Sequence, residues 1–267
     1  MKVLVIGGTA DGRKLATQLF ELGFDVVYSI AGIVRKATVP GPVISGGFTQ
    51  FGGLEKYITD NQITHLVDAT HPFAEKMSHT ISQVTERLSI PAIRFHRKQW
   101  LKTENDHWIE VLAWPELIEK VAQHQSLFMT AGQISQDIIE QLAKQAKHLL
   151  LRTAMPARAI LPSNVTWLKA IGPFLLEDEK QLLQEYKIDA IISKNSGGEA
   201  TYAKIQAAAQ AGIPVYQFKR PQLAPLQYEL DNAADCIALL QTCLASYKLS
   251  KSAFAPSGAS TEFKNEI

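Results

Sequence analysis

Three short stretches of this chain combine residue types that could do chemistry. The first, Gly7-Gly8-Thr9-Ala10-Asp11-Gly12-Arg13, follows the apolar run Val3 to Ile6. Glycines in a strand-to-helix turn leave backbone N–H groups bare at the positive end of a helix dipole, which suits a diphosphate. Gly7, Gly8, Thr9, Gly12 and Arg13 are therefore candidate nucleotide ligands. Thr9 stands where the usual dinucleotide turn has its middle glycine, and an ordinary tight turn would read in much the same way. The second stretch, Asp68-Ala69-Thr70-His71-Pro72-Phe73-Ala74, gathers small and polar residues at the end of a buried strand. Carboxyl ends of strands line the crevice in open parallel sheets, so Asp68, Thr70 and His71 are candidates by position. The third is Ser193-Lys194-Asn195-Ser196-Gly197-Gly198-Glu199-Ala200-Thr201, polar and glycine-rich before a helix. It offers an anion cradle with an ammonium added, which makes Lys194, Asn195, Ser196, Gly197, Gly198 and Thr201 candidates for binding.

Two further stretches bear on the cofactor. Strand Asp25 to Ile30 ends in Ser29-Ile30-Ala31-Gly32, with no carboxylate of the kind that holds an adenosine ribose, and Arg35 and Lys36 follow. Such an end accepts a 2′-phosphate, so a dinucleotide here would be NADPH, with Ser29, Arg35 and Lys36 beside it; a basic solvated loop is the alternative. Gly46-Gly47-Phe48-Thr49-Gln50-Phe51-Gly52-Gly53 is either permissive backbone or binding surface, with Gly46 and Gly47 as its candidates.

The elements around these loops alternate. Continuous apolar runs rich in β-branched residues predict buried parallel strands at 3–6, 25–30 and 90–95, with Pro40 to Ile44 as a short third strand and His65 to Ala74 as a further strand with its exit. Apolar residues at helical spacing predict helices between them, the first running from beyond Gly12 to a glycine stop at Gly23. After Trp108 the pattern restarts with strands at 109–112, 127–130, 148–152, 166–170 and 189–192. The expected fold is α/β, two Rossmann-like lobes with parallel sheets and an inter-lobe cleft. The division falls at 1–98 for the nucleotide-binding lobe, 99–249 for the second, and 250–267 for a disordered tail lacking apolar periodicity. Ile90-Pro91-Ala92-Ile93-Arg94-Phe95-His96-Arg97 and Ile213-Pro214-Val215-Tyr216-Gln217-Phe218-Lys219-Arg220 echo each other, either as a pseudo-repeat or as two generic βα units.

Composition narrows the class. At 267 residues the chain can build two modest cores, and its net charge of +1 gives no general attraction for nucleic acid or an anionic membrane. Cys236 and Cys243 lie in one predicted helix, about 10 Å apart and beyond disulfide reach. No CxxC pair or HExxH motif marks a metal site. No signal-peptide core or membrane span is present, so a soluble cytoplasmic protein is expected, with a monomer favoured.

With these pieces placed, the chain resembles the precorrin-6A reductase family of cobalamin biosynthesis, including its cobalt-precorrin branch. The resemblance rests on Gly7-Gly8-Thr9 with Gly12-Arg13, the Gly-Gly-Phe run at Gly46, Asp68 to Ala74, Gly172-Pro173-Phe174, Ser193 to Gly198, and Ile213-Pro214-Val215 closing on Arg220-Pro221. One departure is that Gly52-Gly53 is separated from Gly46-Gly47-Phe48 by Thr49-Gln50-Phe51. The resemblance implies NADPH-dependent reduction of one double bond in a corrin-precursor macrocycle, in a cleft between two lobes. Hydride transfer asks side chains to position and to exclude water, so no nucleophile triad is expected. A large tetrapyrrole-derived ring with many carboxylates calls for scattered cations around an apolar cleft; Lys194, Arg94, Arg97, Lys219 and Arg220 have suitable types. Lys194 and Arg220 are assigned to substrate. His71 or water delivers the proton, and His71 can equally be a capping residue. Two rivals are an extended short-chain reductase or epimerase and a non-catalytic NADPH-sensing module; the former relies on a Tyr-x-x-x-Lys pair, and no well-placed one is found.

Overall fold

The computed structural model describes residues 1–32 and 39–253. Arg35, Lys36 and residues 254–267 lie outside them, and with them the expected 2′-phosphate cations and most of the expected tail.

The first lobe is built from β1 (Lys2–Ile6), α1 (Ala10–Glu21), β2 (Asp25–Ile30), β3 (Val43–Ser45), α2 (Leu54–Asp60), β4 (His65–Asp68), α3 (Glu75–Leu88) and β5 (Ala92–Phe95). The chain then supplies β6 (Trp108–Val111), α4 (Trp114–Lys120), β7 (Ser126–Met129), α5 (Gln136–Gln145), β8 (His148–Thr153), β9 (Val165–Lys169), α6 (Leu176–Glu185), β10 (Ala190–Lys194), α7 (Ala203–Ala211) and β11 (Val215–Phe218). It closes with β12 (Tyr228–Leu230) and α8 (Ala233–Ala253). The short third strand begins at Val43 rather than Pro40, because two prolines without N–H donors flank Gly41; Pro42 contributes only its carbonyl, to the Tyr28 N–H at 3.0 Å.

All strand pairs are parallel, and the two sheets have matching orders, β12-β5-β4-β1-β2-β3 and β6-β11-β10-β7-β8-β9. Each sheet is covered on both faces, which is why its central strands are apolar throughout: Val3, Leu4 and Val5 are fully buried, as are Leu127, Phe128 and Met129. In the first sheet β1 and β4 begin opposite halves of the strand order, and β7 and β10 do so in the second. Their carboxyl ends form the switch points where α/β sheets hold ligands.

The sixth strand of the first sheet is supplied from beyond the second lobe, whereas the second sheet draws all its strands from residues 108–218. After β5 the chain crosses to the second sheet and lays β6 beside β11; after β11 it crosses back and lays β12 beside β5. Helix α8 follows β12, burying Cys236 and Leu240 in the first lobe's core with Leu15 and Leu19 of α1. The expected second lobe of 99–249 is thus corrected: residues from β12 onward belong structurally to the first lobe. The two echoing segments are the ends of the fifth strands, from which both crossings start.

Among the described residues no helix is long and apolar enough to cross a membrane.

Candidate active site

The turn after β1 is shaped for close approach. A Cβ on Gly7 would fall 2.3 Å from the Tyr28 ring, and one on Gly12 would fall 2.9 Å from the Ala69 carbonyl, so α1 packs directly on the exit of β4. Gly8 has φ of +128° and faces open space. Thr9, in the place of the middle glycine, is the N-cap of α1: its Oγ1 accepts from the Gly12 N–H at 2.9 Å. The Ser29 carbonyl accepts the Gly7 N–H at 2.7 Å, and the Tyr28 hydroxyl accepts that of Gly8 at 3.2 Å. Burial raises the Tyr28 pKa, against the opposing influence of the Gly8 N–H and Arg13. The charge of Arg13 is thus felt at the Tyr28 hydroxyl of β2. Gly46 and Gly47 sit at the neighbouring end of β3, braced by the Gln50 amide, which donates to the Ser45 and Gly47 carbonyls. A cradle with an open glycine and a capped helix start fits the diphosphate of a nicotinamide dinucleotide.

Beyond β4 the structure separates the candidates. The fully buried Asp68 accepts from the Thr70 N–H and hydroxyl, from Ser78 at 2.7 Å and from Arg94 Nε at 3.4 Å. Arg94 then donates to Glu229 and to the Ala224 carbonyl. Asp68 and Thr70, expected as cofactor ligands, are thus joined to each other and fasten the loop to α3, β5 and the returning β12. His71 is largely buried, among the charges of Arg97, Lys194 and Arg220. Its Nδ1 accepts from the Phe73 N–H at 3.3 Å, so the neutral ring carries its proton on Nε2. Burial, then the charges of Arg97, Lys194 and Arg220, push its pKa down to about 3.

The glycine-rich loop after β10 has a double role. Lys194 Nζ lies 5.3 Å from the centre of the Phe73 ring, so the exits of β4 and β10 meet across the lobes. Burial lowers its pKa, with Glu75 partly opposing. The rest of the loop fastens the crossings. The Asn195 side chain bonds both the N–H and the carbonyl of Trp100. Arg220 donates to the carbonyls of Asn195, Arg97 and Ser196 at 2.8, 2.8 and 3.0 Å. Arg97 donates to the Ser196 carbonyl at 2.8 Å and to Asp11 of α1 at 2.6 Å. Gly197, with φ of +71°, admits the Lys98 carbonyl where a Cβ would clash at 1.9 Å, and Gly198 lies against the Arg97 guanidinium. Thr201 closes the loop onto Gly198 and accepts the buried Lys204 ammonium at 2.7 Å. Asn195, Ser196, Gly197 and Arg220, expected to meet substrate, hold the lobes together here, while Lys194 lies over the Phe73 ring of the other lobe.

Asp11, Tyr28, Phe73, Trp100 and the Thr130-Ala131-Gly132 exit of β7 were not among the expected ligands. The matched places of Arg97 and Arg220 in the echoing segments were the available signal for the crossing. A cavity of about 1180 Å³ opens beside it, between α1 and α7, with Asp11, Lys14, Arg97, Trp100 and Tyr202 in its walls. Gly7, Gly8 and Thr9 do not line this cavity. One Tyr-x-x-x-Lys spacing does occur, Tyr247 to Lys251, on the far half of α8, which runs back toward the amino ends of the first sheet.

Comparison with known proteins agrees with this arrangement. The family described as "Precorrin-6x reductase CbiJ/CobK" matches residues 2–241. A precorrin-6A reductase of Rhodococcus erythropolis is 35% identical over 246 residues, covering 90% of this chain and 98% of that protein. One of Mycobacterium tuberculosis is 36% identical, covering 83% and 90%. A cobalt-precorrin-6A reductase of Salmonella typhimurium is 27% identical, covering 82% and 87%. The solved structure of a CobK precorrin-6A reductase superposes with a TM-score of 0.82 at 29% identity, covering 91% of this chain and 96% of its own. With the family match running from the first strand to the last helix and the two-lobed fold shared, the chain belongs to the precorrin-6x reductase family, an oxidoreductase family.

Proposed function

We propose that this chain reduces one double bond of metal-free precorrin-6A with NADPH, the cofactor held by the first lobe and the macrocycle in the crevice between the lobes. The reading is carried by one observation: the exits of β4 and β10 meet, so that His71 and Lys194 share an electropositive spot with Arg97 and Arg220. Identities of 33–36% to proteins named precorrin-6A reductases, against 25–28% to cobalt-precorrin-6A reductases, favour the metal-free substrate.

NADPH supplies the hydride when bound. The turn from Gly7 to Gly12 offers the first-turn N–H groups of α1 to its diphosphate, and Arg13 offers a cation toward its 2′-phosphate. Lys194 pairs with a substrate carboxylate. His71 presents its Nε2–H as a hydrogen-bond donor in the free protein. Burial is the main cause of its low pKa, and substrate carboxylates beside Arg97, Lys194 and Arg220 offset only the charge contribution, favouring the imidazolium that passes on a proton.

The test is to incubate the protein with NADPH and precorrin-6A and follow loss of the cofactor's near-ultraviolet absorbance, with cobalt-precorrin-6A and NADH as comparisons. Faster oxidation with the metal-free substrate and NADPH is expected. No turnover with either macrocycle would sink the reading, and equal use of NADH would sink the cofactor assignment. Arg13→Ala should weaken NADPH more than NADH.

A further inference from the structure

Two loops at the carboxyl edge of the second sheet carry more apolar surface to solvent than a covered core requires. In the loop after β8, Met155 and Ile160 are 42% and 82% exposed; after β9, Ile171 and Leu175 are 44% and 66% exposed. The surface is held in shape. Gln133 donates to the Met155 and Pro156 carbonyls and accepts from the Arg158 N–H, while Gln136 bonds both the N–H and the carbonyl of Ile160. Thr153 roots both loops: its hydroxyl donates to the Met155 carbonyl and accepts from Trp167 Nε1, and its carbonyl accepts the Ala170 N–H at 3.2 Å. The Phe174 N–H is anchored on the Ala200 carbonyl, and its ring lies under the Arg152 guanidinium at 3.9 Å.

Two cations stand at these loops. Arg158 is exposed on the first, and Lys169 is exposed at the end of β9, where the second begins. Arg152 is buried against Glu179, and carboxylates bound the surface at Glu140, which shares the Gln136 amide with Ile160, and at Glu177. An anchored apolar surface with two exposed cations beside it matches a ligand with an apolar face and anionic substituents.

We infer that the loops 154–164 and 170–176 form a shelf that takes the apolar face of the macrocycle, with Arg158 and Lys169 meeting its peripheral carboxylates. This rests on the proposed substrate and identifies side chains that select it. The loops lie at the sheet end whose central exit carries Lys194, so a ring on the shelf is directed toward the crevice. Side chains exposed to this degree can be exchanged without opening the core.

The experiment uses the full chain, with uroporphyrin, a porphyrin polycarboxylate, as a fluorescent probe, and precorrin-6A kinetics in parallel. Ile160→Ser with Ile171→Ser should raise the uroporphyrin Kd and the precorrin-6A KM about tenfold, as expected when two aliphatic contacts are lost, while the NADPH KM is unchanged. Arg158→Gln should weaken both and reduce their salt dependence. Unchanged Kd and KM in folded variants would overturn the shelf. So would light scattering that shows a wild-type dimer dissolved by the double substitution, since a second copy would then occupy the surface. If wild type binds uroporphyrin through these residues but does not oxidise NADPH with precorrin-6A, the shelf survives and the proposed reaction fails.

Discussion

Replacing Lys194 by methionine separates function from stability at one atom. The ammonium lies 5.3 Å from the centre of the Phe73 ring, and burial lowers its pKa. The ring contact is worth on the order of 0.5–2 kcal/mol, and desolvation of the charge opposes it. Methionine keeps the length and the apolar packing, so the net change in folding free energy should stay within about 1 kcal/mol, a shift of only a few degrees in Tm. A charge-assisted contact with a substrate carboxylate contributes about 1.5–3 kcal/mol. At 1.4 kcal/mol per factor of ten, its loss should raise KM for precorrin-6A, or lower kcat/KM, by roughly ten- to a hundredfold. Initial rates at varied substrate, NADPH titration and a thermal melt on the same preparation check all three numbers. If NADPH binding collapses while substrate binding survives, the β10 loop serves the cofactor and the assignment of the lobes is wrong. A fall in Tm of many degrees would show that Lys194 is structural.

Three other perturbations follow from the geometry. Gly197→Ala combines a left-handed φ with a Cβ 1.9 Å from the Lys98 carbonyl, so it should loosen the crossing and lower Tm by several degrees, whereas Gly8→Ala, facing open space, should mainly weaken NADPH; melts and cofactor titrations of both distinguish these effects. Arg94→Met leaves the buried Asp68 without its cation and should destabilise by about 3–5 kcal/mol in denaturant unfolding; a change below about 1 kcal/mol would refute the network's role. The folded-state pKa values of His71 and His96, lowered to about 3 and about 4, lie below the usual 6.5 of the unfolded chain. The unfolded state therefore binds more protons as pH falls below about 6.5, and stability should decline from there toward the folded values. His71→Asn should flatten the decline, as read by unfolding free energies across that range.

What the sequence determined by itself was local. Val3 to Ile6 reads as a doubly covered strand because every residue in it is apolar, and the glycines mark a turn because Gly7 and Gly12 admit Tyr28 and Ala69 so closely while Gly8 takes a φ of +128°. The exits at Asp68 and Ser193 were legible for the same reason: small polar residues after a buried strand have a short menu of conformations. Which sheet a strand joins is another matter. β12 is a short edge strand that returns past the whole second lobe to pair with β5, and nothing in Tyr228 to Leu230 encodes that partner. Arg97 and Arg220 were visible as cations, but their partners are backbone carbonyls, which every residue carries and no sequence pattern marks. Only folding decided that Asp68 would meet Arg94, that Asn195 would bond Trp100, and that Lys194 would lie against Phe73. The first joins neighbouring strands of one sheet, and the other two arise where the chain crossings bring distant strand ends together; all three depend on long-range packing rather than on local residue preference.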